Sequence, residues 1–140
     1  MNHTNIEIKE NYIPSTKDLL GLYENVGWTN YTNNPELLKN SYQHSLCVIT
    51  AWDNDTLVGS IRVVGDGYSI IYIQDLLILQ EYQHLGIGSK LLKRVLEKYH
   101  AVYQKVLLTE DSIKTKAFYE KLGFMPSDTY NCLSFVQFTM

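Results

Sequence analysis

Cysteine is scarce in this chain: Cys47 and Cys132 are the only two in 140 residues, and neither stands at metal-ligand spacing. No metal site is expected of them, and they read as buried free thiols suited to a reducing compartment. Charge of either sign is also sparse. Twelve Lys and Arg against fifteen Asp and Glu leave a net charge of −3, which argues against a nucleic-acid surface, normally basic. No run reaches the roughly 18 apolar residues of a membrane span, and the opening MNHTNIEIKE lacks a basic start followed by an apolar stretch. The expectation is a cytoplasmic protein with no membrane and no nucleic-acid partner. Repeats, linkers and low-complexity segments are missing too, so residues 1–140 read as a single domain. A chain of this length can bury about two-thirds of its unfolded surface, and 45% hydrophobic residues are enough to fill a core.

Periodicity supplies the elements. Ile6–Lys9 alternates apolar and charged residues like a half-buried strand. Ser15 is placed to cap a helix whose apolar stripe is Leu19, Leu22, Tyr23 and Val26, with Gly27 as its stop. Trp28–Asn34 reads as a loop, and Pro35 suits the first turn of a second helix through about Ser41. Two strand-like runs, Leu46–Trp52 and Leu57–Val64, flank the turn Asp53-Asn54-Asp55-Thr56, and Gly65-Asp66-Gly67 turns into a third, Tyr68–Leu79. Ile87, Leu91, Leu92, Val95, Leu96 and Tyr99 mark one face of a helix ending near His100. Lys105–Thr109 is a short strand, parallel to its neighbour because a helix connects them. Ser112–Leu122 is another helix stopped by Gly123, and Phe124 with Leu133–Phe138 is expected to complete the sheet.

The informative stretch is Tyr72–Leu92, YIQDLLILQEYQHLGIGSKLL, where a strand feeds a helix through a polar, glycine-bearing corner. Such a corner offers backbone N–H groups and the positive end of a helix dipole, a ready anion site. Leu91 breaks the dinucleotide fingerprint, and no glycine stands five residues before Gly88, which rules out a Walker loop. What remains is Gln83-x-x-Gly86-x-Gly88, followed downstream by Ala117-Phe118-Tyr119-Glu120-Lys121-Leu122-Gly123-Phe124. Together these resemble the acetyl-CoA pyrophosphate loop and the late helix-and-strand motif of the GCN5-related N-acetyltransferase (GNAT) family. The resemblance covers residues 46–126 well and the N-terminal third poorly.

The resemblance implies an α/β (α+β) fold of the GNAT acyl-CoA N-acyltransferase type. Its central sheet is mixed, mostly antiparallel and flanked by helices, and splays between strands 68–79 and 105–109. It implies acetyl-CoA as cosubstrate, no metal, and an amine acceptor on a small molecule or peptide. Look-alikes commonly form homodimers. The backbone N–H of Leu76 would polarise the thioester oxygen, and Leu76, Leu77 and Ile78 would hold the pantetheine arm like an added strand. Gln83, His84, Leu85, Gly86, Ile87, Gly88 and Ser89 would wrap the pyrophosphate. Phe118 would anchor the late helix, and Tyr119 would give a proton to the departing thiolate.

Two departures stand out. Ser112 occupies a position where many relatives place an asparagine, and a hydroxyl can replace only one of that amide's hydrogen bonds to pantetheine. Tyr72 stands where several members carry a glutamate base, which leaves the base among Asp75, Glu110, Asp111 or water. For the acceptor wall the candidates are Tyr23, Trp28, Tyr31 and Asp75, since aromatics can hold an amine's alkyl body or its charge. The rival reading is a noncatalytic sensor or interaction module that binds acetyl-CoA or coenzyme A on the same fold.

Overall fold

The computed structural model describes residues 5–139. In chain order they form β1 (Ile6–Glu10), α1 (Thr16–Asn25), a one-turn α2 (Thr29–Thr32), α3 (Pro35–Gln43), β2 (Cys47–Asp53), β3 (Thr56–Gly65) and β4 (Ile70–Ile78). Then follow α4 (Ile87–Lys98), β5 (Gln104–Leu107) and α5 (Ile113–Lys121). Local chemistry sets the helix starts as expected. Ser15 accepts from the Asp18 N–H at 3.1 Å, and Asn34 accepts from the Leu37 N–H at 3.2 Å just before Pro35.

The five strands lie side by side in sequence order. β1 to β4 pair antiparallel, and β5 joins β4 in parallel after the α4 crossover. This is the expected mixed sheet flanked by helices. β2 and β3 are buried along nearly their whole length, so both sheet faces are covered there. Adjacent β3 residues point to opposite faces. Ser60 reaches Tyr42 of α3, whereas a Cβ on Gly59 would come within 3.4 Å of Leu91 on α4 and 2.8 Å of Ile78 on β4. Helices α1 and α3 thus cover one face and α4 the other, with Leu19, Leu22, Leu38, Ile61, Leu91 and Leu92 among the fully buried side chains.

Contacts divide the chain into two compact units, Met1–Leu108 and Thr109–Met140. The first holds the sheet and α1 to α4. The second holds α5 and a 3₁₀ turn at Ser127–Tyr130, and none of its described residues is buried.

Three expectations need correction. Trp28–Asn34 is not all loop, because α2 forms within it. Cys47 is buried as expected, but Cys132 is exposed. Phe124 and Leu133–Phe138 form no strand among the described residues, and Leu133, Phe135, Val136 and Phe138 are exposed. The reason lies in their spacing. In an extended chain Leu133 and Phe135 share one face while Val136 and Phe138 share the other, so no single apolar face defines a register.

Candidate functional site

The chemistry-bearing part of the first unit begins on β4. Parallel pairing with β5 runs from Ile70 to Ile73 and ends there, while β4 continues to Ile78. On its other edge β4 pairs with β3 at Arg62↔Gln74 and next at Ser60↔Leu77. Asp75 and Leu76 therefore oppose Ile61 alone, which is a bulge. Asp75 sits in the left-handed region at φ +56°. Beyond the bulge the Leu79 N–H donates to Val58 O, and Leu77 is opposite Ser60. By the alternation of an antiparallel strand, the main-chain groups of Leu76 and Ile78 turn to the edge that β5 has left.

The bulge stands on buried polar groups. The side chain of Asp75 has 0% exposure. Its Oδ2 accepts from the Tyr23 hydroxyl at 2.9 Å and from Arg62 Nε at 3.2 Å, and its Oδ1 accepts from Gln74 Nε2 at 3.0 Å. The Tyr23 hydroxyl is 3.0 Å from that of Tyr42, which is 2.8 Å from Ser60 Oγ. Burial dominates the titration of both phenols. It pushes Tyr23 far above its usual value and Tyr42 up to about 12. For Arg62, burial disfavours the cation, but Asp75 and the neighbouring phenols outweigh it and the net shift is upward.

After β4 comes the corner. A 3₁₀ turn at Gln80–Tyr82 leads into Gln83, His84 at φ +66° and Gly86 at φ +81°, and α4 starts at Ile87. The first N–H groups of any helix have no intrahelical acceptor. In α1, α3 and α5 a Ser or Asn side chain takes one of them, whereas in α4 the cap is Gly86 and no side chain does. The first turn of α4 carries no acid. Gln83 to Gly86 are exposed, Gly88 and Ser89 half-buried, and buried Ile87 anchors the turn. Side chains brace the approach: Gln83 Nε2 donates to Ile78 O at 3.1 Å, Tyr82 donates to Asp53 Oδ2 at 2.6 Å, and the Gln80 N–H donates to Asn25 Oδ1 at 2.9 Å.

Three expected acceptor residues gather beside the bulge. The Tyr23 ring lies 5.2 Å from that of Tyr31 and 6.1 Å from that of Trp28, and Trp28 and Tyr31 are stacked at 22°. Gln74 Nε2 also donates to the Tyr31 hydroxyl at 3.4 Å. Trp28 is 38% exposed and Tyr31 partly exposed, while Tyr23 and Asp75 are buried behind them. Tyr72 is half-buried, and burial raises its phenol.

In the second unit, Ser112 caps α5, accepting from the Thr115 N–H at 3.1 Å. Phe118 and Phe124 meet Tyr119 edge to face, with ring centroids 5.0 and 5.9 Å away. Burial raises the Tyr119 phenol, partly opposed by a hydrogen bond with Thr109. Glu110 and Asp111 are exposed.

Sequence reasoning missed Arg62, Tyr42, Ser60 and Gln74. Arg62 did leave a signal, a lone charge within the apolar run Leu57–Val64. The acetyltransferase (GNAT) family model matches residues 13–124. A GNAT-family acetyltransferase of Streptococcus pneumoniae TIGR4 is 42% identical over 96% of this chain and 98% of its own, with a TM-score of 0.86. A protein of unknown function from meticillin-resistant Staphylococcus aureus is 26% identical over 94% of this chain and all of its own, with a TM-score of 0.76. An uncharacterized N-acetyltransferase of Porphyra purpurea is 28% identical over 130 residues, 86% of this chain and 73% of that protein.

Proposed function

Since this chain belongs to the GNAT acetyltransferase family, we propose that it transfers the acetyl group of acetyl-CoA to a primary amine of a small molecule or peptide. The observation that carries this reading is the start of α4, a helix N-terminus that no side chain caps, set directly after a bulged strand with a vacated edge. The residues present fit acetyl-CoA. A diphosphate needs several N–H donors free of competing acceptors, and the first turn of α4, Ile87, Gly88 and Ser89, carries neither a side-chain cap nor an acid. Acetyl-CoA supplies the activated acyl group.

The chain's own groups do the rest. In this proposal Gln83, His84, Leu85 and Gly86 shape the exposed side of the anion site. The open-edge backbone of Leu76 and the N–H of Ile78, whose carbonyl already accepts from Gln83, pair with an extended arm, with buried Leu77 fixing the strand beneath. The Leu76 N–H stabilises the oxyanion, a donor whose removal typically costs about 3–4 kcal/mol in the barrier. Tyr119, a phenol protonated at neutral pH and pushed further up by burial, is the proton donor for the leaving thiolate. Phe118 orients that phenol, and Ser112 combines its capping bond with one contact to the arm. Trp28 and Tyr31 offer a stacked aromatic wall to the amine, with Tyr23 and Asp75 supporting it from behind.

We propose direct transfer, without an acyl-enzyme on Cys47. Burial raises the thiol of Cys47, and a protonated thiol is a poor nucleophile.

Thermal-shift titration with acetyl-CoA, coenzyme A and ATP, followed by thiol-release assays with peptide, polyamine and aminoglycoside amines, tests the reading. Acetyl-CoA at 100 times its dissociation constant should add about 2.7 kcal/mol of stability, and at least one amine should release thiol. Stabilisation without turnover on any amine would favour the sensor. Equal response to ATP would overturn the acyl-CoA assignment.

A further inference from the structure

We propose that Asp75 is a positioning residue: its buried carboxylate, tied to α1, β3 and its own strand, locks the β4 bulge and thereby aims the Leu76 N–H. The proposal rests on the thioester-binding reading given above.

A non-glycine residue in the left-handed region costs on the order of 1 kcal/mol, and it persists only where its surroundings over-determine it. Asp75 meets that condition through three donors from three elements: Tyr23 on α1, Arg62 on β3 and Gln74 beside it on β4. Arg62 is paired in register with Gln74, so the ion pair crosses the two strands at the last regular pair before the bulge. If the carboxylate released its partners, the strain at φ +56° would lose its anchor and the bulge could slide out of register.

The hydroxyl chain behind it has a fixed direction. Each hydroxyl owns one proton. Tyr23 gives its proton to Asp75, so Tyr42 must donate to Tyr23, and Ser60 must then donate to Tyr42. A chain Ser60→Tyr42→Tyr23→Asp75 therefore connects β3, α3 and α1 and ends on the residue that bends β4. With its oxygens engaged and its side chain fully buried, Asp75 is badly placed to take a proton from an incoming amine. It serves the reaction through Leu76.

The test compares Asp75→Ala, Asp75→Asn and Tyr23→Phe in the full chain. Asn retains an oxygen acceptor and tolerates the left-handed region, and Tyr23→Phe is the mild variant should Asp75→Ala not fold. Thiol-release kcat should fall about 10- to 100-fold in Asp75→Ala, the range of a misplaced oxyanion donor. KM for acetyl-CoA should change by a smaller factor than kcat, because residues 83–89 are untouched while the arm's partners Leu76 and Ile78 loosen. Asp75→Asn should recover only part of the rate, because its amide nitrogen cannot accept and the buried Arg62 loses its counter-charge. Tyr23→Phe should lose least, and the pH profile of the surviving activity should keep its shape. Amide hydrogen exchange on the unliganded protein gives the readout that needs no substrate: protection across residues 73–79 should drop in Asp75→Ala, return in part in Asp75→Asn, and stay constant at 87–98.

Loss of the acidic limb of the pH profile in both Asp75 variants would make Asp75 a base and overturn the proposal. So would unchanged exchange at 73–79, or equal changes in kcat and KM. If the wild-type protein binds no acetyl-CoA, the functional reading fails, whereas the exchange pattern still reports separately whether Asp75 holds the bulge.

Discussion

The bulge of β4 and the corner before α4 lie a few residues apart, yet they handle polar groups in opposite ways. At the bulge, a carboxylate, a guanidinium and three hydroxyls are buried and, with the half-buried amide of Gln74, mutually bonded. At the corner, backbone donors are left without a side-chain cap on an exposed turn. The first arrangement spends its polar capacity on shape. The second leaves its donors open, as the proposed anion site requires. A satisfied network resists change, because removing one member strands the others, whereas an open N-terminus can accept an anion without breaking any bond.

The strongest way to break this contrast is to close the corner. Gly86→Asp supplies a capping carboxylate that tolerates the left-handed φ. It should weaken acetyl-CoA binding by about 10- to 100-fold in calorimetric titration while changing folding stability by less than about 1 kcal/mol. Unaltered affinity would mean that the start of α4 is not the anion site. Next in size is Tyr119→Phe, which should lower thiol-release turnover by roughly 10- to 100-fold and leave acetyl-CoA affinity nearly intact. An equal loss in both would recast Tyr119 as a binding residue.

Alkali probes the bulge from the other side. Tyr42 has a folded-state pKa of about 12 against an ordinary 10.0, and Tyr23 is raised further. A raised phenol means that the unfolded chain loses its proton first. The stability is therefore complete below pH 10, and it drains away as pH rises through 12. Chemical denaturation should report a loss of roughly 1–3 kcal/mol across that window for each raised phenol, so the loss should shrink in Tyr42→Phe to the share that Tyr23 keeps. A flat profile would show that these phenols meet water. The smallest expected effect is at α5, a capped counterpart to α4. Ser112→Ala should cost about 1 kcal/mol of stability. Acetyl-CoA affinity should fall modestly with it, and an unaltered affinity would remove the proposed contact to the arm and leave Ser112 as a cap alone.

Much of the fold was legible because its signals are local. Alternation marked β1, apolar runs between turn residues marked β2 to β4, Ser15 and Pro35 marked helix starts, and the helix between β4 and β5 required parallel pairing. The corner was legible too, since Gly86 and its neighbours act through their own backbone. The Asp75 network was not. Its members lie at positions 23, 42, 60, 62, 74 and 75, and no periodicity links α1, α3 and β3 to one carboxylate. The tail erred the other way, with an apolar stretch that read as a strand but carried no single buried face.

Apart from α2 and the tail, sequence alone determined the order and type of the elements and the glycine turn that opens α4, because these depend on residues within a few positions of one another. Only the tertiary structure decided that β4 bulges at Asp75, that the carboxylate is sealed and paired rather than open, and which hydroxyls point at it. Those outcomes depend on contacts between distant segments, where burial makes every unpaired polar group costly and leaves one arrangement that satisfies them all.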